Sequence, residues 1–268
     1  GTRRDVGNML GGGLTGTLPV RFSTLKAMDK SPAHYQHALG RDWSTGYLRK
    51  GTAVHAHLLG GADVVVYEGG VRRGKEWADF VAAHPGATIL IPSEARDVIG
   101  MRRSLERHET AMRLLEGARE RTIWWKMNGR DCQGTPDVVR AESVVELKTA
   151  KTAHPEWFVR DASRLAYHAS LAWYQDGLRA AGLEDVTAAF IVAVESAEPW
   201  PVTVFELTRD ALEVGRAMYR MWWERLMVCE ASDHWPAYSE AIVPFDCSTG
   251  GGALIIDGEE TSLESIGF

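Results

Sequence analysis

The chain has 268 residues, 45% of them hydrophobic, which is enough to bury a substantial core in one large domain or two small ones. Its apolar runs are shorter than the roughly 20 residues of a membrane span, and its first residues lack a charged-then-apolar signal, so we expect a cytoplasmic protein without membrane contact. The net charge of −6 is a poor match to DNA binding. The three cysteines are widely spaced and suggest neither a disulfide framework nor a zinc or iron–sulfur site.

The first 60 residues are predicted to contain a flexible arm and three helices. The arm is rich in glycine and has no hydrophobic periodicity. Ser23 is the expected N-cap of the first helix, and Ser31-Pro32 marks the boundary to the second. The predicted bounds are 1–20 for the arm and 24–30, 33–38 and about 47–59 for the helices.

A short strand at 62–67, a charged segment and a long helix at 93–116 are predicted next. Ser93 is the expected N-cap of that helix, which has an apolar stripe of helical period and is followed by Gly117. Between residues 102 and 130 there are eight basic and four acidic residues, a local balance of +4. This stretch is either part of a DNA-binding surface or an ordinary solvated helix.

Strands are predicted to follow this helix. Asn128-Gly129 is a favoured two-residue hairpin turn after a strand over 122–127. Two valine-rich runs, 137–140 and 143–148, then have the brief length and β-branched content of paired strands, with their turn at Ala141-Glu142. We therefore predict a meander of three strands, the third of which ends at Lys148.

The pairing around the Ala141-Glu142 turn brings charged residues together. Antiparallel register places Asp137 opposite Glu146, and directly opposed residues have Cβ atoms about 5 Å apart. Strand alternation places Glu146 and Lys148 on one face. Two adjacent carboxylates repel each other, and a divalent cation such as Mg²⁺ relieves that repulsion. An edge hairpin with solvated charges is the equally weighted alternative.

The rest of the chain is predicted to contain two helices, two strands and an acidic tail. Tyr167 and Tyr174 are seven residues apart, on one face of the first helix, where they either line a site or belong to the core. Thr208 is the expected N-cap of the second helix. The tail is either a docking peptide or a disordered end. The predicted bounds are 155–181 and 208–229 for the helices, 186–194 and 202–207 for the strands, 246–268 for the tail and 253–256 for a possible strand in it.

A series of short motifs runs along residues 22–225 in a fixed order. The series is Ser31-Pro-Ala-His-Tyr35, Gly51-Thr-Ala-Val-His55, Gly134-Thr-Pro-Asp137, Glu146-Leu-Lys148, Tyr167 to Tyr174 and Val194-Glu195. In this order the motifs resemble the PD-(D/E)XK nuclease superfamily, and within it the phage-type, RecE-like exonucleases that are related to RecB-type nuclease domains. The resemblance implies an α/β domain over 21–245, with a central mixed β-sheet flanked by helices and a restriction-endonuclease-like core.

The resemblance also implies roles for individual residues. Catalysis would depend on Asp137, Glu146 and Lys148, and the lysine would orient the attacking water. In relatives, the helix after the core signature carries Gln-x-x-x-Tyr. Here Ser170 stands at the glutamine position, which leaves Tyr174 as the matching member. The implied metal ligands, for Mg²⁺ with Mn²⁺ as a substitute, are His55, Asp137, Glu146 and Leu147, and the implied substrate contacts are Thr149, Ser170 and Tyr174.

The implied activity is that of a Mg²⁺-dependent exodeoxyribonuclease. It would degrade one strand of linear double-stranded DNA, in the 5′-to-3′ direction, and leave a 3′ single-stranded tail for recombination by strand annealing. The expected partners are DNA ends, a single-strand annealing protein and further copies of the chain in a ring of three or four subunits. Two alternatives stay open: a structure- or site-specific endonuclease of the same fold, and a DNA-binding partner protein without catalysis.

Overall fold

The structure, a computed structural model, describes residues 18–39, 49–60 and 63–245, and the backbone of two strands at 254–256 and 259–261. Most of the predicted arm and of the predicted tail lies outside these residues. In the described part, helices are interspersed with strands along the chain, and mixed sheets are flanked by helices, which confirms the predicted fold class. None of the helices described is long and apolar enough to cross a membrane.

The helices and strands have the following bounds. The helices are α1 (Phe22–Leu25), α2 (Pro32–Leu39), α3 (Arg49–Leu59), α4 (Gly74–Ala83), α5 (Pro92–Arg107), α6 (Glu109–Leu114), α7 (Pro155–Arg164), α8 (Tyr167–Ala180) and α9 (Arg209–Ser232). The strands are β1 (Val20–Arg21), β2 (Val64–Val66), β3 (Thr88–Leu90), β4 (Ala118–Arg119), β5 (Ile123–Met127), β6 (Arg130–Gly134), β7 (Val138–Val139), β8 (Ser143–Ala150), β9 (Ala188–Glu195), β10 (Val202–Glu206), β11 (Leu254–Ile256) and β12 (Glu259–Thr261).

The central sheet has five strands in the order β10-β9-β8-β7-β4. Strands β8 and β9 are parallel, and the other neighbours are antiparallel. The predicted register is confirmed, because Val139 pairs with Val144 and the amide of Arg140 donates to the carbonyl of Ser143 (2.8 Å). Strand β8 lies in the middle of the sheet, and its first five residues, Ser143 to Leu147, are buried although they include a serine and a glutamate.

Two apolar layers cover the central sheet. On one face, Val144 packs in a core with residues of α8 and α9, such as Trp173 and Trp222. On the other face, Val145 and Leu147 pack in a core with residues of α3 and α5. The alternation predicted for β8 is thus realised, and residues 146 and 148 lie on the α8 side.

A second sheet, in the order β1-β6-β5, lies beside the central one. The predicted hairpin turn is present, with positive φ at Asn128 (50°) and Gly129 (79°). The predicted three-stranded meander is wrong, however, because β6 pairs with β5 on one side and with β1 on the other, whereas β8 pairs with β7. Val20, expected in the flexible arm, is buried in β1.

Two helices that were predicted to be continuous are each broken once. The helix predicted over 93–116 is divided into α5 and α6 at His108, whose Nδ1 accepts a hydrogen bond from the amide of Ala111 (3.2 Å). The helix predicted over 155–181 is divided into α7 and α8 at Ala166, which has a left-handed φ of 57°. Neither break occurs at a glycine or proline, the residues that usually signal one.

The helix caps match the predictions in part. Thr208 caps α9 by accepting a hydrogen bond from the amide of Ala211 (3.2 Å), as expected. Ser93 does not cap α5. The N-cap there is Ile91, whose amide donates to Oε2 of Glu94 (3.0 Å), the glutamate half of a capping box.

Two further segments differ from their predictions. The helix predicted over 24–30 is α1 followed by a 3₁₀ turn, and its N-cap is Arg21 rather than Ser23. The charged segment between residues 68 and 91 contains α4 and β3, and β3 pairs in parallel with β2. At the other end of the chain, β11 falls within the possible strand predicted in the tail and pairs with β12.

Candidate active site

The turn between β7 and β8 brings the predicted catalytic residues together. The amide of Asp137 donates to Oε1 of Glu146 (3.3 Å), and the amide of Leu147 donates to Oδ2 of Asp137 (2.7 Å). The ammonium of Lys148 forms an ion pair with Oε2 of Glu146. Both carboxylates and the ammonium therefore form one hydrogen-bonded cluster, held by the backbone of a central strand.

His55 joins this cluster from α3. Its Nε2 lies 2.8 Å from the carbonyl oxygen of Leu147, and its Nδ1 lies 3.5 Å from Oδ1 of Asp137. Gly51, one turn earlier in the helix, makes this approach possible, because a Cβ at that position would lie 2.9 Å from Oγ1 of Thr149. The absence of a side chain at Gly51 thus allows α3 to pack closely against β8 and places the imidazole at the carboxylates.

Burial and mutual repulsion control the ionisation of the cluster. Glu146 is only 4% exposed, and this burial, together with the charge of Asp137, raises the pKa of its carboxyl to about 7. Burial would lower the pKa of Lys148, but the charges of Glu146 and Asp137 outweigh it and raise that pKa above its ordinary value. The lysine therefore remains an ammonium, and two carboxylates share it.

Through Glu146 and Lys148 the cluster borders a pocket of about 400 Å³ between β6, β8, α1 and α8, whereas Asp137 and His55 lie behind these two residues and do not line it. Its polar side chains are the ones that a substrate would meet first. The lining residues are Arg21, Phe22, Ser23, Lys26, Gln133, Gly134, Thr135, Glu146, Lys148, Leu165, Tyr167, Ser170 and Tyr174. A larger cavity, of about 740 Å³, lies at the other end of β8, beside Ser143, and lacks this cluster of charges.

Two tyrosines form the wall of the pocket on the α8 side. The Lys148 ammonium lies 5.5 Å from the ring centroid of Tyr167, within the range of a cation–π contact. Burial, and then the charge of Glu146, raise the pKa of the Tyr174 hydroxyl, so that it remains a hydrogen-bond donor at neutral pH. Ser170 lies one helical turn before Tyr174 on α8 and lines the same pocket. The two predicted substrate contacts on α8 are therefore adjacent to each other and to the cluster.

The third predicted substrate contact, Thr149, has a different environment. Strand alternation places it on the face of Leu147 rather than on that of Lys148. Its hydroxyl lies against Gly51 of α3, and it does not line the pocket. A contact between Thr149 and substrate stays a prediction.

Several residues that line the pocket were not predicted from the sequence. Arg21, Ser23 and Lys26 belong to the β1–α1 segment, and Gln133 and Thr135 to the end of β6. They reach the pocket because β1 pairs in parallel with β6, a contact between positions that are 112 residues apart. The only local sign of a site in the sequence was that two of these residues, Arg21 and Lys26, are basic and lie shortly before the Ser31-to-Tyr35 motif.

The remaining motif residues support the surrounding structure. Ser31 is buried, and its hydroxyl lies 2.7 Å from Nδ1 of His34 at the start of α2. Tyr35 is also buried and stacks on Trp235, with ring centroids 5.9 Å apart. Glu195 accepts hydrogen bonds from the amide of Ala153 (2.8 Å) and from a neighbouring threonine hydroxyl, which fixes the chain where it leaves β8. These motifs therefore stabilise the helices and the loop that surround the pocket.

The donors at the cluster fit a divalent cation. Among the described residues, no group of three or more His, Cys, Asp or Glu side chains has metal-site spacing by itself. Mg²⁺ does not require such a group, since one or two carboxylates, water and substrate oxygens are sufficient. Asp137 and Glu146 supply the carboxylates, the carbonyl of Leu147 is a further oxygen donor, and His55 lies against two of these groups. With one ammonium for two carboxylates, the cluster has an excess of negative charge that favours a cation.

Comparisons with known proteins identify the family and the fold. The model of a family described as a PDDEXK-like domain of unknown function matches residues 21–245. A crystal structure from Eubacterium rectale, named "Putative exonuclease", is 16% identical, covers 93% of this chain and 92% of its own, and has a TM-score of 0.62. A crystal structure named SSO0001 is 13% identical, covers 68% of this chain and 85% of its own, and has a TM-score of only 0.30. No curated protein matches significantly.

The likeness to the Eubacterium rectale structure, at this low identity, concerns the fold. The family match covers most of the chain, including the segment before β7 that holds Asp137 and the strand β8 that holds Glu146 and Lys148. The chain belongs to the family of PDDEXK-like domains, and its core is that of a PD-(D/E)XK nuclease.

Proposed function

We propose that this chain is a Mg²⁺-dependent exonuclease that hydrolyses one strand of linear double-stranded DNA. The observation that carries the proposal is the hydrogen-bonded cluster of Asp137, Glu146 and Lys148 at the base of a polar pocket. The family match supports a nuclease, and the name of the Eubacterium rectale structure supports the exonuclease over other nucleases. Mn²⁺ is expected to substitute for Mg²⁺.

Each residue of the cluster has a distinct part in the proposed reaction. Asp137 and Glu146, with the carbonyl of Leu147 and the imidazole of His55, hold the divalent cation. When bound, this cation lowers the pKa of the attacking water and stabilises the charge that develops on the phosphate. Lys148, whose charge is secured by the two carboxylates, orients the water for attack on phosphorus.

Tyr174 and Ser170 of α8 position the substrate in this proposal. The Tyr174 hydroxyl keeps its proton and donates a hydrogen bond to a non-bridging phosphate oxygen, and Ser170, next to it, orients that hydroxyl. Ser170 is too short to take over the contact that a glutamine would make from the same helix position. Tyr174 is therefore the principal phosphate contact of α8 in this proposal.

The proposed reaction proceeds in the 5′-to-3′ direction and leaves a 3′ single-stranded tail. Such a tail is the substrate of a single-strand annealing protein, which we propose as a partner in recombination. A ring of three or four copies around the DNA would keep the enzyme on its substrate between successive cleavages. These proposals follow from the RecE-like order of the motifs.

The test is to incubate the protein with Mg²⁺ and linear duplex DNA labelled at one end or the other. We expect loss of the 5′ label as mononucleotides or short products, no cleavage of a covalently closed circle, and no reaction in EDTA. The Lys148→Ala variant serves as the matched inactive control. Cleavage of the closed circle would indicate an endonuclease instead. Binding of the duplex without any metal-dependent cleavage would indicate a non-catalytic DNA-binding protein.

A further inference from the structure

One face of the small sheet β1-β6-β5 is open to solvent and leads into the pocket. Its opposite face is buried, where Trp125 packs on Trp173 with ring centroids 4.9 Å apart. On the open face, neighbouring residues of the three strands form one row, because Arg21 pairs with Gln133 and Gln133 pairs with Trp124. We call Arg21, Gln133 and Trp124 the outer row.

The outer row begins inside the pocket and ends outside it. Arg21 and Gln133 line the pocket together with Glu146 and Lys148. Trp124, the next residue across the sheet, does not line the pocket and is 58% exposed. Neighbouring strands are about 4.8 Å apart, so the whole row is about 10 Å long and extends about 5 Å beyond the pocket, from Gln133 to Trp124.

The polar groups of the outer row have a fixed orientation. Nε of Arg21 donates to the side-chain oxygen of Gln133 (3.1 Å). Because a guanidinium has only donors, the atom that faces it must be the amide oxygen, and the amide nitrogen of Gln133 points away from the arginine. Within the described residues, no acidic side chain pairs with Arg21. The row therefore offers an unpaired positive charge and oriented N–H donors next to an exposed indole.

We infer that the outer row binds unpaired nucleotides of the DNA strand whose phosphate enters the pocket. Trp124 stacks on a base, and Arg21 and Gln133 contact the adjacent phosphate. A flat indole beside cationic and amide donors is the arrangement that proteins use for single strands. In a duplex the base faces are covered by stacking and only the base edges are accessible, so an exposed Trp124 has no use there. The inference rests on the proposed nuclease function, which supplies the strand that enters the pocket.

The test measures binding of a short fluorescent oligothymidylate in EDTA, where cleavage does not occur. Trp124→Ala should raise Kd about tenfold, equivalent to about 1.4 kcal/mol, and Trp124→Phe, which keeps an aromatic face, should stay within about threefold of the parent. Trp157 is the matched control, because it is 60% exposed, lies on α7 and does not line the pocket. Trp157→Ala should leave Kd within about twofold. A blunt duplex should bind the parent and Trp124→Ala about equally.

Three results would overturn the inference. They are a parent that does not bind the oligonucleotide, a folded Trp124→Ala variant with the Kd of the parent, and an equal loss of affinity in Trp157→Ala. Sedimentation of the same variants tests whether a second copy of the chain covers this face instead. If Trp124→Ala changed the number of subunits, the outer row would be a contact between copies of the chain. Failure of the nuclease proposal is a separate result, because it would appear as absent cleavage of linear duplex in Mg²⁺ and Mn²⁺ by a protein that still binds the oligonucleotide.

Discussion

Replacing Glu146 with glutamine should stabilise the metal-free protein above neutral pH, although it removes a residue of the proposed catalytic cluster. Burial, and then the charge of Asp137, raise the pKa of Glu146 from 4.5 to about 7. One pH unit in pKa corresponds to about 1.4 kcal/mol, so ionising Glu146 costs about 3 kcal/mol more in the folded protein than in the unfolded chain. Glutamine has the same shape and no charge, and it avoids this cost.

The pH dependence has a definite sign. Because the pKa of Glu146 is raised in the folded state, the unfolded chain loses the proton first, and the free energy of unfolding of the parent falls as the pH rises from about 4.5 to about 7. The glutamine variant has no such titration. The two proteins should therefore be equally stable near pH 4, and the variant should be more stable by up to about 3 kcal/mol near pH 8.

The assay is urea denaturation in EDTA at several values of pH across this range. Glu184, an exposed residue, supplies the matched control variant Glu184→Gln, which should follow the parent at every pH. The reasoning would be refuted if Glu146→Gln were no more stable than the parent near pH 8, or if the difference between them did not change with pH. Either result would mean that burial and the charge of Asp137 do not penalise the ionisation of Glu146 in the folded protein.

Three further predictions concern the site and its support. Lys148→Ala should abolish Mg²⁺-dependent cleavage and leave the far-UV circular dichroism unchanged, so residual cleavage near the parental rate would remove Lys148 from the mechanism. His55→Ala should weaken Mn²⁺ binding in calorimetric titration, because imidazole prefers transition metals. The control His57→Ala, at an exposed residue, should not. Equal titrations of the His55→Ala variant and the parent would exclude His55 as a ligand. Gly215→Ala should lower the free energy of unfolding by about 1–3 kcal/mol, since the added Cβ would lie 2.5 Å from the His168 carbonyl oxygen where α9 crosses α8. A variant as stable as the parent in urea would show that the two helices can move apart without a loss of stability.

The adjacency of Asp137 and Glu146 could be predicted because it depends on local information. A two-residue turn between valine-rich runs fixes the register of β7 and β8, and the register fixes which side chains are opposed. The face of Lys148 follows from strand alternation. The position of His55 at these carboxylates came from the family motif, since no periodicity in α3 distinguishes a ligand from a packed histidine.

The features that the sequence did not predict depend on distant contacts or on unusual backbone. Strands β5 and β6 form the predicted hairpin, but β6 also pairs with β1, where Val20 is buried beside Cys132, far away in sequence. The break at Ala166 has no signature, because alanine favours helix and adopts its left-handed φ under the constraints of the packed structure. The outer row was missed for the same reason as β1, since its members become neighbours only through that pairing.

The link between Lys26 and the carbonyl of Leu165 has a consequence for the order of folding. This hydrogen bond (2.5 Å) joins the segment after β1 to the corner between α7 and α8, across 139 residues of chain. Contacts that close such long loops form only after the entropy of closure has been overcome, whereas the β7–β8 hairpin closes a loop of two residues. The carboxylates are therefore expected to meet early in folding, while the pocket in front of them is completed late. A nascent chain would carry its charge cluster before it has a closed site for DNA.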